Sequence, residues 1–181
     1  MKLLLIIILL SLTALSHAND FKVIIRQANL QTLDNQLVVN AQIDFQLSHI
    51  AKQALQSSIP LVWNIQIKLN KPRRYLWDET LFKKHIRLKI RYHSLLKRYQ
   101  IHQGSAEVES YSQLSTALQR LGQITAIKLN PNLVLPITSN YKMSMTLYFD
   151  KEALPLPLRP EAYFKAAWSL SSKTYSWRLT K

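Results

Sequence analysis

Period-two alternation of apolar and polar residues restricts the fold of this chain more than any other feature. Val39, Ala41, Ile43, Phe45 and Leu47 alternate with Asn40, Gln42, Asp44 and Gln46. Leu61, Trp63, Ile65, Ile67 and Leu69 alternate with Asn64, Gln66, Lys68 and Asn70, and Tyr141, Met143, Met145, Leu147 and Phe149 with Lys142, Ser144, Thr146 and Tyr148. Successive side chains of a strand point to opposite faces, so each segment reads as an antiparallel strand with one face buried and one wet. Phe21–Leu33, Lys83–His93, Arg98–Gln103, Glu107–Tyr111, Ile124–Leu129 and Tyr175–Leu179 complete the expected strands.

Two short helices interrupt them. Ser48 can cap one carrying Ile50, Ala51, Ala54 and Leu55. Ser112 can cap another whose Leu114, Ala117, Leu118 and Leu121 follow helical spacing, with Gly122 as its stop. Pro60 and Pro72 bracket one strand, and Pro131, Pro136, Pro155, Pro157 and Pro160 fall in connections, the run Leu154 to Pro160 reading as an extended, polyproline-like crossover. No regular strand–helix alternation is present. The fold class expected is all-β to β-rich α+β: an antiparallel β-sandwich or strongly curved sheet with two short helices.

Residues 1–18 read as a secretory signal peptide. Lys2 is the basic start, Leu3–Leu15 the apolar run, and Ser16-His17-Ala18 places small residues before a cut at Asn19. The apolar run falls short of the about twenty residues a membrane span needs, so no transmembrane span is expected after cleavage. Residues 19–181 then form one β-rich globular domain. No cysteine occurs, so disulfides cannot stabilise it in an oxidising compartment. Removing Lys2 from the 24 basic residues leaves 23 against 10 acidic ones, a formal net charge of +13. In an exported protein that balance points away from nucleic acid and towards anionic membrane surface, lipopolysaccharide, cell-wall polymer or an acidic protein face.

The sequence offers little chemistry. Its two glycines, Gly104 and Gly122, exclude a dinucleotide fingerprint, a phosphate-cradling loop and a nucleophile elbow. His85 and His93 lie about 27 Å apart on one strand and cannot share a metal. No cofactor, metal site or catalytic residue is expected; the alternatives to a binding module are a hydrolase site assembled across strands and a purely structural envelope role.

One strand stands apart. Lys83, His85, Arg87, Lys89, Arg91 and His93 occupy its odd positions, while Ile86, Leu88, Ile90 and Tyr92 occupy even ones, Lys84 being the exception. A four-residue turn over 94–97 pairs Tyr92 with Tyr99 and Ile90 with Ile101 on the core side. On the wet side it pairs His93 with Arg98, Arg91 with Gln100 and Lys89 with His102. Opposed like charges destabilise a strand pair, so either acids offset them or an anion does. Glu107 and Glu109, flanking Val108, are expected on the same wet face as the offset. Trp63 falls in the core register; Trp77, Trp168 and Trp177 can serve as core or contact residues.

Further motifs follow one order: Pro60-Leu61, Lys71-Pro72-Arg73-Arg74-Tyr75, Trp77-Asp78-Glu79, Tyr92-His93-Ser94-Leu95, Arg98-Tyr99, the Leu114 to Leu121 helix, Leu154-Pro155 with Pro157-Leu158, and Trp168 to Ser172 with Trp177. Across Asn40 to Leu179 the chain resembles the exported bacterial proteins grouped as domain of unknown function 4390. The resemblance implies a signal-bearing envelope protein of Gram-negative bacteria, in a family whose genes often neighbour a membrane sensor kinase and its response regulator. The outer domain of such a kinase is thus a conceivable partner. The family defines no catalytic residues to carry over. N-terminal sequencing of exported protein should find a mature chain starting near Asn19; an intact Met1 would refute cleavage.

Overall fold

The structure, a computed structural model, describes residues 22–33, 36–129 and 140–179. The signal-peptide residues, Phe21, Pro131 and Pro136 lie outside them. The strands are β1 (Lys22–Leu33), β2 (Gln36–Gln46), β3 (Leu61–Lys71), β4 (Glu79–His93), β5 (Arg98–Gln103), β6 (Glu109–Tyr111), β7 (Gln123–Lys128), β8 (Tyr141–Phe149) and β9 (Tyr175–Leu179). They form two antiparallel sheets, ordered β1-β2-β7 and β6-β5-β4-β3-β8-β9, one of them strongly curled into a half-barrel. The β-rich antiparallel architecture is the one the alternation predicts.

The alternation also sets what each face does. Trp63, Ile65, Ile67 and Leu69 of β3 are fully buried, as are Met143, Met145 and Leu147 of β8 and Ile43 of β2 is almost so. The two sheets meet at Trp63. Its ring lies edge-on to Phe45 of β2 at 4.9 Å between centroids and tilted against Phe149 of β8 at 5.5 Å. Phe149 in turn stacks on Trp168 at 5.8 Å, so Trp168 belongs to the core. The Trp63 indole N–H donates to the Leu170 carbonyl at 2.8 Å, which satisfies the one polar atom of a fully buried side chain.

Helix α1 (His49–Gln56) is capped as expected: the Ser48 hydroxyl accepts from the Ala51 amide at 3.1 Å. Helix α2 (Leu114–Gly122) differs. Gln113, not Ser112, sits at its N-cap, without a side-chain cap bond. Gly122 is its last helical residue and works through size: a Cβ there would stand 1.9 Å from the Ile43 carbonyl oxygen. The absent side chain is what lets α2 lie directly on β2.

The proline run departs most from expectation. Leu156–Leu158 form a 3-10 turn that leads into a third short helix, α3 (Arg159–Phe164). Proline suits a first helical turn, where its missing N–H would have no partner anyway, so Pro157 and Pro160 start helical turns here. Glu107–Tyr111 likewise shortens to Glu109–Tyr111, and Lys83–His93 lengthens to start at Glu79.

Trp63→Ala should cost about 3–5 kcal/mol in urea unfolding, the usual range for emptying a large aromatic site. Trp63→Phe should cost less, about 1–3 kcal/mol, because it strands the Leu170 carbonyl. Equal costs for the two would argue against the indole bond.

Candidate anion-binding face

The pairing of β4 with β5 has the register read from the sequence: Tyr92 opposes Tyr99, Ile90 Ile101, His93 Arg98, Arg91 Gln100 and Lys89 His102. Leu88 and Ile90 are buried, whereas Lys83, His85, Arg87 and Arg91 are exposed and Lys89 and His93 half-buried. All six residues of the basic row thus share the outer face of the six-stranded sheet. Lys84, the exception to the alternation, points the other way. Its ammonium donates to the Lys128 carbonyl at 2.7 Å, tying β4 to β7 of the other sheet.

On the other side of β4 lies β3, then β8 and β9. Their outward residues extend the face with Lys68, Lys142 and Arg178, and β5 adds Arg98. Lys68 stands directly opposite Lys83, Lys142 opposite Arg178, and His93 opposite Arg98. Directly opposed like charges, as in the first two pairs, destabilise a strand pair by a few tenths to about 1 kcal/mol each. Lys68, Lys142 and Arg178 were not among the expected site residues. Their alternation places them on wet faces, but their neighbours follow only from the sheet order.

The expected acidic offset is not there. Glu109 lies opposite Ile101, a core-facing residue, so it turns inward. It takes an ion pair with Arg120 of α2 at 2.7 Å and accepts from the Tyr111 hydroxyl. That bond, then burial, raises the Tyr111 pKa above its ordinary value. Glu107 precedes β6 and, among the described residues, has no cation within 4.0 Å. The physical reason is phase: β6 pairs with β5 so that Glu109 takes the side of Ile101 and Tyr111 the side of Tyr99.

Asp150, just past β8, is the one carboxylate engaged with the basic row among the described residues. It meets Arg87 at 3.5 Å and accepts from the Asn64 side-chain amide at 3.4 Å. The 3-10 turn Lys151–Ala153 follows it, and the Asp150 amide donates to the Val62 carbonyl. Pro60, Val62 and Ala153 here meet Arg87, Lys89, His102 and Gly104 around a shallow depression of about 380 Å³. It holds cationic side chains and no carboxylate pair.

A larger concavity of about 640 Å³ lies between β2, α1 and α2 and collects Asp44, Ser48 and His49. These are not wired as a relay. The Ser48 hydroxyl caps α1, and the Asp44 carboxylate is held by Arg26 at 2.6 Å. Among the described residues no group of three or more His, Asp or Glu converges as a metal cage, and no helix is long and apolar enough to cross a membrane.

The fold and this face define a β-rich α+β protein of two antiparallel sheets with a cationic outer surface. The chain belongs to the family described as domain of unknown function (DUF4390), whose model matches residues 21–178. No curated protein and no solved structure matches it significantly.

Arg87→Ser should cost about 0.5–1 kcal/mol in urea unfolding, because it removes the one cation from the largely covered Asp150 carboxylate and leaves it only the Asn64 and Ala153 amides. Lys89→Ser and Arg91→Ser should stay within about 0.5 kcal/mol of wild type. Equal losses at all three positions would mean the row is a structural charge network.

Proposed function

We propose that this protein is an exported, non-catalytic binding or accessory module of a Gram-negative envelope. In this reading the outer face of its six-stranded sheet docks onto a phosphate-bearing anionic surface. The observation that carries it is the set of opposed cations, Lys68 with Lys83 and Lys142 with Arg178, alongside a single engaged carboxylate among the described residues. Such a face works against its own sheet until counter-charge arrives. Lipid phosphates or the phosphates of lipopolysaccharide supply it from one plane, which an extended row of cations can address together. Lys83 to Arg91 spans about 27 Å at strand rise, well beyond a single small anion.

Arg87 is also tied to Asp150, so the test uses Lys83→Ser, Lys89→Ser and Arg91→Ser together. Each Lys or Arg near an anionic surface contributes about 1 kcal/mol, so the triple variant should bind phosphatidylglycerol vesicles about a hundredfold more weakly at low salt. Its melting temperature should hold or rise as repulsion is relieved. A parallel arm with lipopolysaccharide micelles separates the two phosphate sources. Wild-type binding should fall steeply between low and physiological salt, where screening acts over about 8 Å. A triple variant that binds both probes like wild type would leave the face as ordinary solvated surface.

A further inference from the structure

The connection between β3 and β4, residues 72–78, carries three consecutive large side chains that are mostly exposed. Tyr75 is 86% exposed, Leu76 68% and Trp77 93%. Leaving such residues in water costs free energy, and single exposed apolar residues are common, but three in a row at a projecting apex are not. Cations surround them. Arg74 lies over the Tyr75 ring at 5.6 Å, and Arg73 pairs with Glu79 at 2.6 Å. That hydrogen bond and the charge behind it hold the Glu79 carboxyl below its ordinary pKa. Lys71 ends β3 here, and Lys142 and Arg178 share a concavity with Pro72 and Asp78.

We propose that Tyr75, Leu76 and Trp77 seat in the headgroup–acyl boundary of an anionic bilayer, with Lys71, Arg74, Lys142 and Arg178 at the lipid phosphates. The inference rests on the reading of the chain as a binder of anionic surfaces and names the bilayer as the surface. Tyrosine and tryptophan favour that boundary because an apolar ring and a polar tip are satisfied at one depth. The apex is three residues long and mostly open to solvent. A fluid interface closes around such a group, whereas a rigid protein would need a matching socket.

The exposed Leu95–Leu96 turn beside Lys97 and Arg98 lacks the tyrosine and tryptophan that favour the headgroup boundary, and charge selects the apex over the remaining large apolar cluster. Leu156, Tyr163 and Phe164 are also exposed, but Glu152 and Glu161 lie among them, each paired with a cation of the same segment. An anionic bilayer gains little there. At the apex, Lys71, Arg73, Arg74, Lys142 and Arg178 outnumber Asp78 and Glu79, and Arg74 and Lys71 have no carboxylate within 4.0 Å among the described residues.

Trp77 provides its own probe. Trp63 and Trp168 are fully buried and Trp177 is half-buried, so Trp77 dominates the accessible fluorescence, and Trp77→Phe gives the background. Purified exported protein is mixed with vesicles of phosphatidylglycerol and phosphatidylethanolamine whose acyl chains carry bromine. Trp77 emission should shift to the blue, be quenched by the bromine and lose its access to aqueous acrylamide. Tyr75→Ser with Leu76→Ser and Trp77→Ser should lower vesicle partitioning about tenfold, while Phe164→Ser should leave it unchanged. Vesicle binding with Trp77 still open to acrylamide and untouched by bromine would overturn the insertion while leaving the basic face intact. Loss of partitioning in Phe164→Ser but not in the apex variant would likewise overturn it. Failure of wild type to bind anionic vesicles at all would overturn this inference together with the reading beneath it.

Discussion

The Trp63 indole sits where three parts of the chain meet, and the rest of the fold depends on its being filled. Phe45 reaches it from one sheet, Phe149 from the neighbouring strand, and the Leu170 carbonyl from the segment before β9. That last contact does more than satisfy an N–H. It holds residues 170–172 against β8, where the Ser171 and Ser172 hydroxyls accept from the Phe149 and Leu147 amides. The β8 backbone beyond the end of β9 is therefore hydrogen-bonded by side chains. With no cysteine available, the packing around this residue ties these segments together without a disulfide.

A filled core dictates the character of the opposite surface. Every inward position of β3 from Leu61 to Leu69 is buried, and the outward positions after the covered Val62 reach water in part and are free to carry charge. On β4 that freedom is taken up almost wholly by cations. Lys84 shows the limit of the rule: placed inward near the sheet edge, it survives by sending its ammonium to a carbonyl of the other sheet. Glu109 shows the same constraint in an acid: the phase of β6 turns it inward, where it meets Arg120 of α2. With that carboxylate withdrawn, the outer face keeps Asp150 alone as its engaged counter-charge among the described residues. The inward ion pair and the missing acidic offset thus have one cause, the phase of β6.

Strand character, the buried and wet faces, the β4–β5 register and the six-residue basic row were legible in the amino-acid sequence. Each follows from periods of two within a segment or from a turn of a few residues, where covalent geometry leaves few choices. The helical turns at Pro157 and Pro160 were not legible, because proline at a helix start and proline in an extended run look alike until neighbours decide. Gly122 read as a helix stop for the same reason; only the closeness of the Ile43 carbonyl shows that its size is what counts.

Tertiary structure alone decided which strands lie side by side. Lys68 and Lys142 are far apart in the chain, and the placement of β8 beside β3 turns separate wet faces into one cationic surface. The β8–β9 pairing sets Lys142 against Arg178, and the register of β6 on β5 turns Glu109 away from the basic row. Sequence determines these features only through non-local pairing, whose outcome is set by the fit of buried side chains across the whole core. Local periodicity fixed what each strand shows to water; the order of strands around Trp63 fixed where those charges meet.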